Sequence, residues 1–348
     1  MAKREKQCYC GVGGQAVLDG IMMKNKTKCA VAIRKADGTI DISRMQHKSL
    51  SDKLRISGYP FFRGMVNFID SMMLGTKALN HSADIALDDI PEEPDMLEKF
   101  FNKVFGEKAK DVLLTCTMII SVIFAIALFM VLPYGISSLI GKIVKDNFLL
   151  SVIEAVTRMT IFIAYVGLVG KMKEIQVVYM YHGAEHKCIS CIERGKPLTV
   201  DNVMRSSRLH PRCGTSFMLY VMAISCVLFF FIAATNPIHR LVVRLLLLPI
   251  IAGISYEIIS WAGKSNNIIV RLLSKPGLAL QKLTTKEPTP DMVEVAIAAT
   301  EAVFDWEAYL ENNFDYVREE QEEALEDVVA HEISDELEKI FGMESDEI

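Results

Sequence analysis

Apolar residues gather into four blocks, at 112–133, 148–169, 215–234 and 241–262. The first and third carry no charge. The second holds Glu154 and Arg158, four residues apart with the acid first, so that on a helix they face and neutralise each other. The fourth holds Arg244, Pro249, Gly253 and Glu257. About 20 apolar residues are needed for a helix to cross the hydrocarbon of a bilayer. The pattern therefore predicts four transmembrane helices, the alternative being buried helices of a large soluble enzyme.

Loop charge orients them. Between the second and third blocks lie Lys171, Lys173, Lys187, Arg194, Lys196, Arg205, Arg208 and Arg212. The first hairpin offers Lys142 and Lys145, and the second only Arg240. The long basic loop is thus expected inside a plasma membrane, with both termini beside it.

Outside the blocks the pattern changes. Residues 29–33 and 39–43 flank Asp37-Gly38, a dipeptide suited to a hairpin turn. Upstream, Gly11, Gly13, Gly14 and Gly20 punctuate a short apolar stretch. No phosphate-loop or dinucleotide fingerprint is present, so these glycines point to bends or close packing. Over 61–87, Phe62, Met65, Val66, Ile69, Met72, Met73 and Leu79 recur at helical steps, as for a helix at the membrane interface or packed on a cytoplasmic unit. Residues 88–95 read as a linker. After the fourth block, 266–273 is apolar and basic until Pro276-Gly277 is expected to break it, and 292–304 reads as a packed helix.

The expected architecture is an α-helical integral membrane protein, a four-helix bundle with a small α+β cytoplasmic N-terminal region and a helical cytoplasmic C-terminal region. Its parts are 1–110, a membrane domain at 111–264 that includes the loop 170–214, a helical region at 265–314, and an acidic tail at 315–348. Composition agrees: 51% of the 348 residues are hydrophobic, yet 23% are charged, so the two kinds must be segregated. The net charge of -5 sits mainly in the tail, which argues against a nucleic-acid partner. No cleavable signal peptide is expected, because 8–20 is a polar, glycine-rich mixture. Of the eight cysteines, Cys116 and Cys226 lie in apolar runs, and the rest fall in segments expected to be cytoplasmic, so disulfides are not expected.

Candidate chemistry concentrates in the basic loop, 181–216. If the second helix continues, His182 and His186 stand one turn apart on one face, a common way to offer two imidazoles to a metal. Glu185 lies near that face as a ligand, an orienting partner or a general base. The order differs from the HExxH pattern, and histidines merely lying at a membrane interface are the plainer reading. In His210-Pro211-Arg212-Cys213-Gly214-Thr215, Pro211 and Gly214 fix a turn. His210 and Cys213 suit zinc, and Arg212 suits an anionic substrate group or lipid phosphate. The plainer reading there is a turn capped by Thr215 or Ser216. Glu257 lies about five residues from the inner end of its block, roughly 7 to 8 Å deep at 1.5 Å per residue, near where the other residues emerge. Arg244, near the outer end, is free to snorkel. A rival structural zinc site is offered by Cys188, Cys191, His210 and Cys213.

Gly13-Gly-Gln-Ala-Val17, His182-Gly-Ala-Glu-His-Lys187, His210-Pro-Arg-Cys-Gly-Thr215, Ala252-Gly-Ile-Ser-Tyr-Glu257 and Pro276-Gly-Leu-Ala-Leu-Gln281 with Leu283-Thr-Thr285 occur in one order. Together they resemble the YqhQ-type bacterial membrane proteins, a family of unknown function described as predicted metal-dependent enzymes. The resemblance covers roughly residues 8 to 305. It implies that His182, Glu185, His186, His210, Cys213 and Glu257 belong to a shared core, and leaves Cys188 outside it.

The leading expectation is a hydrolase-like membrane metalloenzyme. His182, His186, His210 and Cys213 would hold a divalent metal, zinc before others, and Glu185, Glu257 and Arg212 would serve catalysis. Membrane lipids are the expected partners, and a carrier with so few spans would need to self-associate. The alternatives are a transport or assembly factor and a membrane scaffold, each with a structural metal cluster.

Overall fold

The computed structural model describes residues 8–50, 59, 62–88, 96–106, 109–231, 237–264 and 267–318. Of the expected linker, 88–95, Asp88 ends the helix Phe62–Asp88 and the rest falls outside them, as does most of the acidic tail. Mostly helical, the chain opens with a four-stranded antiparallel sheet: β1 (Val12–Val17), β2 (Gly20–Asn25), β3 (Lys28–Arg34) and β4 (Ile40–Gln46), in the order β1-β2-β3-β4. The β3–β4 hairpin turns about Asp37-Gly38, with Gly38 at φ +86°. The β1–β2 hairpin was not legible, because β2 is buried on both faces and has no alternation to read. Gly20 is required there: a Cβ would run into the carbonyl oxygen of Ala32.

Each face of the sheet is covered. Val17, Met22, Val31 and Ile33 pack against Leu74 and Ala78 of α1 (Phe62–Asp88). On the other face, Ile21, Met23, Ala30 and Ala32 share a core with α6 (Lys173–Glu193), α7 (Val200–Met204) and α11 (Pro290–Glu301). By sequence these segments fall in three regions, 1–110, 111–264 and 265–314. Their apolar faces find one another across more than 250 positions of chain, which local periodicity cannot reveal.

The apolar helices follow α2 (Met96–Phe105). α3 (Ala109–Ile126), a π-helical turn (Ala127–Val131) and α4 (Leu132–Ile140) form one rod, so the first block does not end at Pro133. The wider π turn precedes that proline and relieves the crowding its ring imposes on the preceding turn. Then come α5 (Asn147–Val169), α8 (Gly214–Phe230) and α9 (Pro237–Lys264). Among the described residues, three helices are long and apolar enough to cross a membrane: Val112–Ile140 with mean hydropathy 2.7, Asn147–Val169 with 1.7, and Leu241–Trp261 with 2.0. α8 has 17 residues, or about 25 Å, short of the span expected at 215–234.

Two further expectations are corrected. Arg244 does not snorkel; it is buried and docks on Glu154. Pro276-Gly277 does not end a helix, because α10 (Ile268–Thr284) runs through it. Leu273, in the turn before Pro276, has its carbonyl engaged by the Tyr220 hydroxyl at 2.9 Å. Gly277 seats that turn against Ser216, where a Cβ would lie 2.6 Å from the hydroxyl oxygen. α12 (Trp306–Asn313) closes the described chain.

Candidate metal centre

α6 carries the site, and its sequence is unusual for its surroundings. From Gly183 to Glu193 every residue is buried, including Glu185, His186, Lys187 and Glu193. Ionisable groups in such a place are costly unless each is paired or used. The helix stops in a Schellman motif: Gly195 at φ +74° donates to Ile192 O at 3.0 Å, and Lys196 N donates to Cys191 O at 3.2 Å.

His182 and His186 stand on one face with ring centroids 4.4 Å apart. Opposite them, Cys213 is the N-cap of α8, its sulfur accepting from Thr215 N at 3.4 Å. The cap is thus the cysteine, not Thr215 or Ser216. One donor atom from each of His182, His186 and Cys213 lies within 4.8 Å of the others. His182 Nε2 is 3.2 Å from the Cys213 sulfur. Nδ1 of His182 donates to Thr284 O at 3.0 Å, and Nδ1 of His186 donates to Arg208 O at 2.7 Å. Each imidazole is therefore oriented by a main-chain carbonyl on one nitrogen and leaves the other facing the thiol, the tethering typical of metal-binding histidines.

Charge favours a thiolate. Burial alone would raise the Cys213 thiol, but His182 and His186 beside it hold it well below the usual range. Burial works against a charge on His182, yet the neighbouring sulfur prevails and lifts the imidazole to about 9. The position at a helix N-terminus acts in the same direction.

Glu185 comes up beside this group, within reach of the charges on His182, His186 and Cys213. The Gly14 amide donates to it, Oε2 has no partner among the described residues, and burial pushes its carboxyl up. Gly14 is what allows the approach. A Cβ there would lie 3.0 Å from the Glu185 carboxyl carbon and 2.7 Å from Met22 O. Of the two β1 glycines, Gly14 thus serves close packing, whereas a Cβ at Gly13 would meet nothing within 4 Å.

The remaining candidates sit in neighbouring networks. His210 Nε2 is 3.2 Å from Glu193 Oε2, and Arg212 pairs with the other Glu193 oxygen. Cys10 N donates to that same oxygen at 3.3 Å, and the Arg212 guanidinium lies 4.1 Å over the Tyr9 ring. Burial lowers the His210 imidazole, while His210 and Arg212 overcome burial to hold the Glu193 carboxyl down. The His210 ring stays 5.8 Å from that of His186, outside the three-donor group. Glu257 receives a two-pronged bond from Arg63 of α1, at 2.8 and 2.6 Å. Cys188 and Cys191 pack in the core shared with the sheet, and the structure does not gather them with His210 and Cys213.

Several residues that sequence reasoning left without a role hold the site in place. Gln281 accepts from His210 N at 2.9 Å, and donates to His210 O at 2.7 Å and to the Ser216 hydroxyl at 2.9 Å, clamping the turn that carries Cys213. Lys187 donates to Met204 O and Ser206 O at 2.8 and 2.9 Å. Glu287 bridges Lys187 and Arg208 at 3.0 and 3.1 Å, tying the loop that bears Arg208 O to the end of α10. Gly183 lets that end approach, since a Cβ would strike Lys286 O. Glu193 lay seven residues beyond His186, near the same helical face, so a search along that face would have found it.

A family model described as "Protein of unknown function (DUF1385)" matches residues 59–306. The chain is also 35% identical over 304 residues to the "Uncharacterized protein YqhQ" of Bacillus subtilis (strain 168), covering 86% of this chain and 94% of that protein. No solved structure matches it significantly. All of the three-donor group, Glu185 and the Gln281 clamp lie inside the matched region, and the chain belongs to the DUF1385 family of proteins of unknown function.

Proposed function

We propose that the protein is a metal-dependent membrane enzyme whose centre, His182, His186 and Cys213, lies at the cytoplasmic face of its spans. Its substrate would be a lipid or membrane-anchored molecule. The observation that carries this reading is the paired tethering of the two imidazoles, each fixed through Nδ1 to a carbonyl with Nε2 beside the Cys213 sulfur. Two histidines and a cysteine form a three-ligand set that leaves a fourth position open, as in catalytic zinc sites. Zinc fits this mixture of nitrogen and sulfur best. A divalent ion held there would supply Lewis acidity toward a carbonyl or phosphoryl oxygen.

In this reading Glu185 is the general base of a hydrolase-like reaction. Its buried Oε2 has no competing partner and can take up a proton and return it. Arg212, stacked on Tyr9, is placed to receive an anionic part of the substrate. Glu257 acts at one remove, through its bond to Arg63.

The apolar rods built on α3–α4, α5 and α9 cross the plasma membrane, with α8 as a shorter fourth member of the bundle. The basic loops keep the centre and both termini in the cytoplasm. The near-complete burial of His186 and Cys213 favours a second reading, a membrane scaffold, assembly or transport factor with a structural metal.

Metal analysis of protein purified without chelators tests the assignment. About one equivalent of zinc is expected in the wild type and in Glu185→Gln, lost in His186→Ala and Cys213→Ala. Wild-type protein with no metal sinks both readings. A metal that a hydroxamate cannot perturb leaves only the structural one.

A further inference from the structure

A second charged cluster lies at the other end of α8. Phe229 is sixteen residues beyond Cys213, about 24 Å along the helix, and around its ring three ionisable side chains are buried. Arg158 donates to Glu154 Oε1 at 2.6 Å and through Nε to Phe129 O at 2.9 Å. Arg244 reaches the same Glu154 oxygen at 2.5 Å. Both guanidinium groups lie over Phe229, at 4.9 and 4.8 Å from its centroid. The side chains of Glu154, Arg158 and Arg244 are 7%, 3% and 4% exposed.

The charges do not cancel: two cations share one anion, leaving one positive charge among the described residues. Such an excess in apolar surroundings is expensive unless something serves it. Arg244 also keeps an edge free. Its Nη1 is spent on Glu154, while its buried Nε has no partner among the described residues. The edge formed by Nε and Nη2 is the fork that grips an oxyanion through two parallel bonds. It borders a small, partly open cleft between α5, α8 and α9, lined also by Ser151.

We propose that this cleft binds a phosphate group bearing a single net negative charge, seated on the free edge of Arg244 and balanced by Arg158. The assignment is independent of the metal centre. Its lipid source rests on the reading of these helices as membrane spans; the phosphate chemistry does not. Glu154 is then a built-in competitor that holds the two arginines together when the cleft is empty.

The test is native mass spectrometry of the full chain with phosphatidylglycerol or phosphatidylcholine, alongside equilibrium binding of inorganic phosphate in detergent. If the source is lipid, the wild type retains phosphatidylglycerol about fivefold or more over phosphatidylcholine, and Arg244→Gln levels the two. Saturable phosphate binding that Arg244→Gln abolishes, without a lipid preference, assigns the same site to the free ion. Glu154→Gln removes the competitor and tightens whichever ligand binds, a gain that misfolding cannot imitate. Equal retention of both lipids together with no phosphate binding, or weaker binding in Glu154→Gln, overturns the proposal.

Discussion

Gln281 shows how much of the site depends on one side chain outside it. Its fully buried amide bonds both main-chain groups of His210 and the Ser216 hydroxyl. Gln281→Leu strands those partners at about 1–3 kcal/mol for each unsatisfied group. The expected outcome is a lower unfolding temperature together with weaker zinc retention; unchanged retention would mean that the clamp does not position Cys213. Asp70 makes a separate point about pH. Burial alone would raise its carboxyl, but hydrogen bonds from His47, Leu50 N and Ser49 bring it down to about 2. The unfolded carboxyl titrates near 3.9, so the folded value is the lower one. The stabilisation is complete above that pH and is lost as pH falls toward 2. Thermal unfolding should show wild-type stability declining over this window, and Asp70→Asn less stable near neutrality with a flatter acid limb. Parallel acid limbs for the two proteins would contradict this.

Among the elements, α6 is a helix of its own: α5 stops at Val169 and the second helix does not run on, yet the four-residue spacing of His182 and His186 still puts them one helical turn apart. Its partners were less legible. Glu185 could be placed near the histidine face, but its contact with Gly14 joins residues 171 positions apart, and no local period encodes that. The hairpin around Asp37-Gly38 carried its own turn chemistry, whereas β1 and β2 needed the knowledge that both sheet faces are covered. Prolines misled the reading twice, because the π turn before Pro133 and the close seat at Gly277 accommodate what isolated sequence would break. The end of α6 yields a prediction of its own. Gly195→Ala puts a side chain at φ +74° and into the Phe314 ring, costing about 1–2 kcal/mol from backbone strain alone. Chemical denaturation should show that loss, and a neutral result would argue against the Schellman stop.

At the scale of the whole molecule, four apolar blocks were visible, three of them forming helices long enough to span among the described residues, and the regions flanking them were not separate. The sheet, α6 and α11 share one core, which brings Glu185 against Gly14. Orientation is open to labelling. In a background without reactive native thiols, Ile143→Cys, in the exposed turn between α4 and α5, should react with an impermeant maleimide on intact cells. Arg205→Cys, exposed at the end of α7 in the basic loop, should react only after permeabilisation. The reverse pattern would overturn the cytoplasmic placement of the site.

The central claim is that two imidazoles and one thiolate converge on a single ion, and cobalt substitution tests it most directly. Purified protein stripped and reloaded with Co²⁺ is predicted to show a sulfur-to-cobalt charge-transfer band in the near ultraviolet, with visible bands of a low-coordinate ion. The charge-transfer band should vanish in Cys213→Ser and persist in Cys188→Ser. A cobalt spectrum without it, or one that survives the loss of Cys213, would contradict the account.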